Sequence, residues 1–279
     1  YRAVLMIGVV GGGRMGRALA RVLADSGERV ELWSRREAGL ASAEEGPSGV
    51  LSGAAVLLLA VPDDAITDVA ARLAQHGAIE ASQVVLHLSG LHDARALRAL
   101  AASGAGLGSF HPLQTITDPA EAGERWRGSY VAVEGDARAM TAGERLAGLL
   151  GLTPIRIAAE AKAAYHIGAV LASNYVVALL GMAARLAAEA GVPAEIAECM
   201  YRPLVLGAAE NLQRQPPAKA LTGPVRRGDA ETVRAHLEAL EPEARALYAR
   251  LGLEALRLAR EGGLDSGLAA RMEQVLRDY

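Results

Sequence analysis

Gly11-Gly12-Gly13-Arg14-Met15-Gly16 follows the apolar run Val4 to Val10 and opens a helical stretch, so Gly11, Gly13 and Gly16 stand at the spacing G-x-G-x-x-G. That spacing suits a diphosphate. The first glycine permits a tight turn, the second lets the backbone approach the ligand, and the third lets the helix pack close to the strand. The first helical amides, around Arg14 and Met15, would then face the negative charge. A glycine-rich turn that binds nothing is the alternative. The next apolar run, Arg29 to Trp33, ends in Ser34-Arg35-Arg36. A site for NAD usually carries Asp or Glu at this point, to bond the ribose hydroxyls. A hydroxyl and two guanidinium forks suit a phosphate instead, which points to NADP. Two surface arginines opening the next helix would leave the same pattern.

Candidates for the reacting groups lie further along. Val61-Pro62, Ser89-Gly90 and His111-Pro112 each close a strand-like run, and wound α/β sheets bind ligands at the carboxyl ends of their strands. His111 could therefore meet a substrate, or it could cap and pack before its proline; Ser89 could equally form a turn. His87, within its strand, is read as a buried, satisfied histidine. Lys162, His166 and Ser173 fall within roughly 40° of one another on a helix, and Asn174 lies about 100° further round. A lysine and a histidine one turn apart on a face that becomes apolar are costly unless they meet a polar cavity. Snorkelling and interface packing are the alternatives. The chain holds only two lysines, Lys162 and Lys219, against its many arginines. Arg226 and Arg227, in the Gly-Pro turn from Leu221 to Asp229, could hold a substrate carboxylate or lie in a solvated loop.

These groups require a scaffold of alternating elements. Strands are expected over Val4–Val10, Arg29–Trp33, Ala55–Val61, Gln83–Leu88, Gly106–Phe110, Ser129–Val133 and Pro154–Ile157, with helices over Arg14–Ser26, Asp63–His76, Asp93–Ala102 and Ala137–Leu150. Asp63 or Asp64 is available as an N-cap. Glu37 to Gly53 reads as a loop. This rhythm implies a mostly parallel sheet covered on both faces. After about Ala158 no strand is convincing. Ala161 to Ala190 reads as one long helix stopped by Gly191 and Pro193, and Asp229 as the N-cap of a helix from Ala230. The expected fold is thus α/β, a doubly wound sheet over residues 1–158 followed by an all-α domain over 159–279. The helical domain would handle substrate and dimerisation.

Composition narrows the function. The 279 residues are 51% hydrophobic and 22% charged, with a formal net charge of −3. A globular chain without a basic field is not expected to bind nucleic acid or anionic lipid. One cysteine, Cys199, rules out an intrachain disulfide framework and a cysteine-cluster metal site, so no metal is expected. No signal peptide is read at the start of the sequence, and cytoplasm is the default expectation. Ile167 to Ala184 is uncharged and near the lower limit of a membrane span. Its serine, asparagine and glycines favour a buried helix in a domain core or a homodimer interface over a membrane partner.

Taken together, GVVGGGRMG, LLLAVPDDAI, HLSG, SFHPLQT, AKAAYHIGAVLASNYVVAL and LTGPVRRGD resemble a family of Rossmann-like NADP oxidoreductases with a C-terminal helical domain of unknown function. The resemblance spans nearly the whole chain and is shared more broadly with deazaflavin-dependent NADP reductases, pyrroline-5-carboxylate reductase, ketopantoate reductase and prephenate-type dehydrogenases. It implies that His111 matches a histidine that bonds the reacting oxygen in prephenate-type enzymes and Ser89 the serine beside it from the preceding strand end, although Leu113-Gln114-Thr115 replaces the residues that follow there. It also implies that Lys162 suits a catalytic lysine on the first helix after the sheet, with His166 where an asparagine is usual. The resulting expectation is an NADPH-dependent reductase of a small carbonyl or imine compound bearing a carboxylate. A 2-oxo acid such as ketopantoate comes first and a cyclic imine acid second. A non-catalytic NADP sensor or scaffold and a deazaflavin-dependent reductase are the alternatives.

Overall fold

The computed structural model describes residues 4–34 and 53–279. Arg35, Arg36 and the loop expected from Glu37, up to Ser52, lie outside the described residues. The described strands are β1 (Met6–Val10), β2 (Arg29–Trp33), β3 (Val56–Leu59), β4 (Val84–His87), β5 (Gly106–Pro112), β6 (Tyr130–Gly135) and β7 (Thr153–Arg156). They form one sheet in the order β2-β1-β3-β4-β5-β6-β7. Every pairing is parallel except β5 with β6, which is antiparallel. The order reverses at β1, so the crevice beyond the ends of β1 and β3 is the switch point where such sheets take ligands.

Continuous apolar runs form the central strands because both faces are covered. Val56, Leu57, Leu58 and Leu59 are all buried, and each leucine contributes roughly 2 kcal/mol. Ile7, Val9, Leu58 and Leu86 pack towards α1 (Arg14–Asp25) and the helix Ala137–Leu150. Leu57, Leu59 and Val85 pack on the other face, with Ile66, Ala70 and Leu73 of α2 (Ile66–Gln75) and with Leu97 and Leu100. The segment expected as a helix from Asp93 is a 3-10 helix, Ala94–Ser103, capped by the Asp93 carboxylate on Arg95 N. Asp63 and Asp64 do not cap. They sit inside a short 3-10 turn whose N-cap is Pro62, and the Asp63 carboxylate instead accepts from Ser89 Oγ at 2.7 Å.

After α3 (Ala122–Trp126) and α4 (Ala137–Leu150), the helical region begins with α5 (Lys162–Ala172) and α6 (Asn174–Glu189). The single helix expected over Ala161–Ala190 is therefore two. Ser173 leaves the helical region at φ −124°, ψ −73°. Serine and asparagine side chains offer the backbone rival hydrogen bonds, which is why they favour helix ends. Gly191 at φ +91° and Pro193 close this stretch. Further helices include α7 (Ala194–Met200), α8 (Arg202–Arg214), α9 (Pro217–Ala220), α10 (Pro224–Arg227), α11 (Ala230–Ala239), α12 (Pro242–Glu261) and α13 (Ser266–Arg277). Asp229 caps α11 on Thr232 N. The chain divides into two compact units, residues 1–177 and 178–279. The second has its own core, in which Val233, Leu237, Leu256, Met272 and Leu276 are buried.

Candidate active site

The glycine turn divides its labour in space. Gly11 stands at φ +126°, and a methyl group there would overlap the Ala60 carbonyl at the end of β3. A methyl at Gly16 would overlap the Gly11 carbonyl. Both glycines are fixed by backbone that passes too close for any side chain. Gly12 is held as well, since its Cβ would lie 2.6 Å from Ser34 Oγ. Gly13 differs: nothing lies within 4 Å of its Cβ position. It is the N-cap of α1 with no side-chain cap, so the first amides of this 12-residue helix face the open side of the turn. That cradle fits a diphosphate, whose charge suits the helix terminus and whose bulk needs the missing Cβ. Arg14 is exposed in the first turn and Met15 is half-buried. Ser34 is buried behind Gly12. Val61 is half-buried and Pro62 exposed at the neighbouring strand end.

A cavity of about 450 Å³ opens beyond β5, lined by His111 to Thr115 and by Tyr165, His166, Ser173 and Asn174, with small residues between. His111 Nδ1 and the Tyr165 hydroxyl share a 2.8 Å hydrogen bond. His166 meets His111 edge-on, with ring centroids 6.0 Å apart. Burial, and then the positive charge of Lys162, push the His111 pKa down to about 4, so the ring is neutral at physiological pH. Burial pushes Tyr165 up to about 12, which keeps its hydroxyl protonated. Gly90 lies against both rings. A Cβ there would stand 2.7 Å from His166 Cδ2 and 2.9 Å from His111 Nε2.

Two of the residues expected at the centre lie behind this cavity. Ser89 is buried and its hydroxyl is fully committed. It donates to Asp63 Oδ2 and accepts from Leu91 N at 3.1 Å and His92 N at 2.9 Å. Its geometry is that of the turn-forming serine. Lys162 is 2% exposed. Its ammonium donates to the Ser89 carbonyl at 2.9 Å and to Ser109 Oγ at 2.7 Å. Burial lowers its pKa to about 8, opposed by the charges of Glu134, Asp93 and Asp63. His87 is fully buried and satisfied: Ser89 N donates to Nδ1, so Nε2 carries the proton offered to the Asp93 carbonyl. The cavity thus brings together His111, His166 and Asn174, while the buried Ser89 and Lys162 are not part of its lining.

Tyr165, Ser109 and Glu134 were not singled out from the sequence, and Asp63 was read only as a helix cap. Tyr165 was within reach, because it stands three residues after Lys162 and so shares its face. Ser109 and Glu134 meet only through the antiparallel register of β5 and β6, where they are direct partners. In the second unit, Arg226 Nη2 donates to the Gly262 carbonyl at 2.9 Å, and Arg227 is exposed.

Comparison with known proteins agrees with this architecture. Residues 1–112 match a Rossmann-like domain, and residues 129–255 match a domain of unknown function, DUF2520. The chain therefore pairs a Rossmann-like domain with that C-terminal domain, the combination its motifs resemble. No curated protein matches it closely. Among solved structures, a protein of Thermotoga maritima superposes with a TM-score of 0.71 at 24% identity, covering 91% of this chain and 98% of the other. A protein of Bacteroides fragilis, provisionally named an NADP oxidoreductase, gives 0.67 at 21% identity over 90% and 98%. A pyrroline-5-carboxylate reductase from Coxiella burnetii gives 0.58 at 18% over 94% and 100%. At these identities the likeness is one of fold.

Proposed function

We propose that the chain is an NADPH-dependent reductase of a small C=N or C=O compound bearing a carboxylate. The observation that carries this is the glycine turn: Gly11 and Gly16 are locked by passing backbone, while Gly13 alone faces open space before an uncapped helix. Gly11, Gly13, Gly16 and the amides of Arg14 and Met15 would hold the diphosphate, with Val61 and Pro62 flanking it. Ser34, Arg35 and Arg36 would select the phosphorylated ribose. When bound, NADPH supplies the hydride.

The chain's own groups do the rest. Tyr165 donates to His111 Nδ1, which leaves Nε2 protonated and turned to the substrate's oxygen or nitrogen. A neutral imidazole then acts as a hydrogen-bond donor to charge developing there. His166 sits beside it as the proton source, and Asn174 and Ser173 orient the substrate. Ser89 and Lys162 position the strand ends, and the Lys162 ammonium adds positive potential under the cavity. The fold neighbour named as a pyrroline-5-carboxylate reductase supports a cyclic imine acid ahead of ketopantoate.

A homodimer through the C-terminal helices completes the proposal. Taken as one stretch, Ala159–Glu189 is long and apolar enough to cross a membrane by length and composition, although Ser173 divides it into α5 and α6. Its first turn is nevertheless tied to the sheet through Lys162, which favours a protein partner over a bilayer. The test is NADPH oxidation, followed by absorbance, against a panel of cyclic imine acids and 2-oxo acids, with calorimetry of NADPH and NADH alongside. Turnover on one class with tighter binding of NADPH is expected. Absence of heat with either coenzyme on folded protein overturns the assignment.

A further inference from the structure

Beneath the cavity, Lys162 is continued by two polar side chains, Ser109 and Glu134, that the proposed chemistry does not use. Lys162 Nζ donates to Ser109 Oγ at 2.7 Å, and Ser109 Oγ donates to Glu134 Oε2 at 3.2 Å. Ser109 is fully buried and Lys162 nearly so. The register explains the meeting: His87 pairs with Ser109, and Ser109 with Glu134, so the three lie in one row on one face of the sheet. Both hydrogen bonds of the ammonium go to neutral oxygens, the Ser109 hydroxyl and the Ser89 carbonyl. A buried ammonium without a counter-charge gives up its proton.

Three carboxylates surround Lys162 electrostatically: Glu134 on β6, Asp93 before the 3-10 helix, and Asp63 after β3. The charged or titratable neighbours His87, on β4, and His111, on β5, complete its surroundings. Asp93 is committed to Arg95, whose Nη2 lies 2.6 Å from Oδ2. Asp63 takes the Ser89 hydroxyl. Glu134 alone is joined to the ammonium through a single side-chain hydroxyl. We propose that Glu134 is a positioning residue that, through Ser109, keeps Lys162 charged in its buried seat beneath the cavity.

This inference deepens the reductase proposal for the site and rests on it only for its effect on turnover. Glu134 has a rival structural duty, since Oε2 also accepts from Ala94 N at 2.9 Å at the start of the 3-10 helix. Glu134→Gln keeps an oxygen for that amide and for Ser109 while removing the charge, so it separates the two roles.

The chain's two lysines make the measurement direct. In protein labelled with 15N-lysine, Lys162 and Lys219 give two side-chain signals, and exposed Lys219 serves as the internal control. In Glu134→Gln the Lys162 titration is expected to move down by about one pH unit, a tenfold loss of proton affinity, with Lys219 unmoved. Ser109→Ala moves it the same way with the Ala94 contact intact, and Glu134→Asp restores part of the shift. The alkaline limb of the pH profile for NADPH oxidation moves by the same amount in Glu134→Gln. A Lys162 signal that titrates alike in wild type, Glu134→Gln and Ser109→Ala overturns the assignment, even if turnover is found. A shifted Lys162 in a protein with no turnover sustains it and counts against the reductase proposal instead.

Discussion

Lys162 sets stability against function. Its pKa near 8 lies below the ordinary 10.5 because burial disfavours the charged form, a penalty of about 3 kcal/mol. Between those two values the unfolded chain holds a proton that the native chain has lost, so native stability rises with pH across that window; below about pH 8 the full penalty applies. Lys162→Met removes the penalty and gives up two hydrogen bonds worth about 1 kcal/mol each. The variant is therefore expected to be about 1 kcal/mol more stable than wild type near neutral pH, with the advantage reversed near pH 10.5, while turnover falls about 100-fold because the site loses that positive potential. Urea denaturation at the two pH values decides it; a variant weaker at neutral pH contradicts the assigned burial cost. His87 and His111 act at the acid end. Burial holds both near 4 against an ordinary 6.5. Unfolded chains protonate these rings first as pH falls, so stability is lost between about pH 6.5 and 4, by up to roughly 3 kcal/mol per ring. His87→Gln, which can still donate to the Asp93 carbonyl, is expected to flatten that decline in denaturant titrations; an unchanged decline would exclude His87 as its source.

At the scale of elements, the β1-turn-α1 unit makes a paired prediction. Gly16→Ala places a methyl on the Gly11 carbonyl, backbone that cannot swing aside. It should cost about 3 kcal/mol, the upper range for overpacking. Gly13→Ala meets nothing and sits at φ −72°, an ordinary angle for alanine. It should leave melting unchanged or slightly higher, yet weaken NADPH at least about tenfold by calorimetry, because its methyl points where the diphosphate belongs. Equal NADPH affinity in Gly13→Ala and wild type would falsify the placement of the coenzyme. This unit was readable in the sequence because strand, turn and helix each impose a local pattern that agrees with the others. The buried strands were readable for the same reason, as runs such as Val56 to Leu59 have no other stable use. Lys162 and His166 were readable from helical spacing. The break at Ser173 was not, since the small residues around it suit a continuous helix nearly as well and tertiary packing decides. Glu134 was beyond reach for a firmer reason. Its contact with Ser109 exists only because β6 runs against β5, and strand direction leaves no mark on either strand's own residues.

On the scale of the whole chain, the apolar surface left in water must be accounted for. In the first unit Ile167, Leu171, Tyr175 and Val177 are exposed, Val177 by 71%. In the second, Leu204, Leu206 and Leu212 are exposed, Leu204 by 69%. Soluble monomers seldom carry so many large apolar groups on so few helices. Burial of each would return about 2 kcal/mol, and a stable dimer needs roughly 800 Å² from each partner. These helices have the material for it. Light scattering at micromolar concentration is expected to give twice the 29.0 kDa of one chain. Val177→Asp or Leu204→Asp would place a charge in the closed interface, at a desolvation cost that an exposed position would not feel. Each should shift the mass towards one chain and leave the heat of NADPH binding in place, because the glycine turn lies on the sheet and not on these helices. A wild-type protein that stays monomeric, or aspartate variants that remain dimeric, would mean that these side chains are exposed for another purpose.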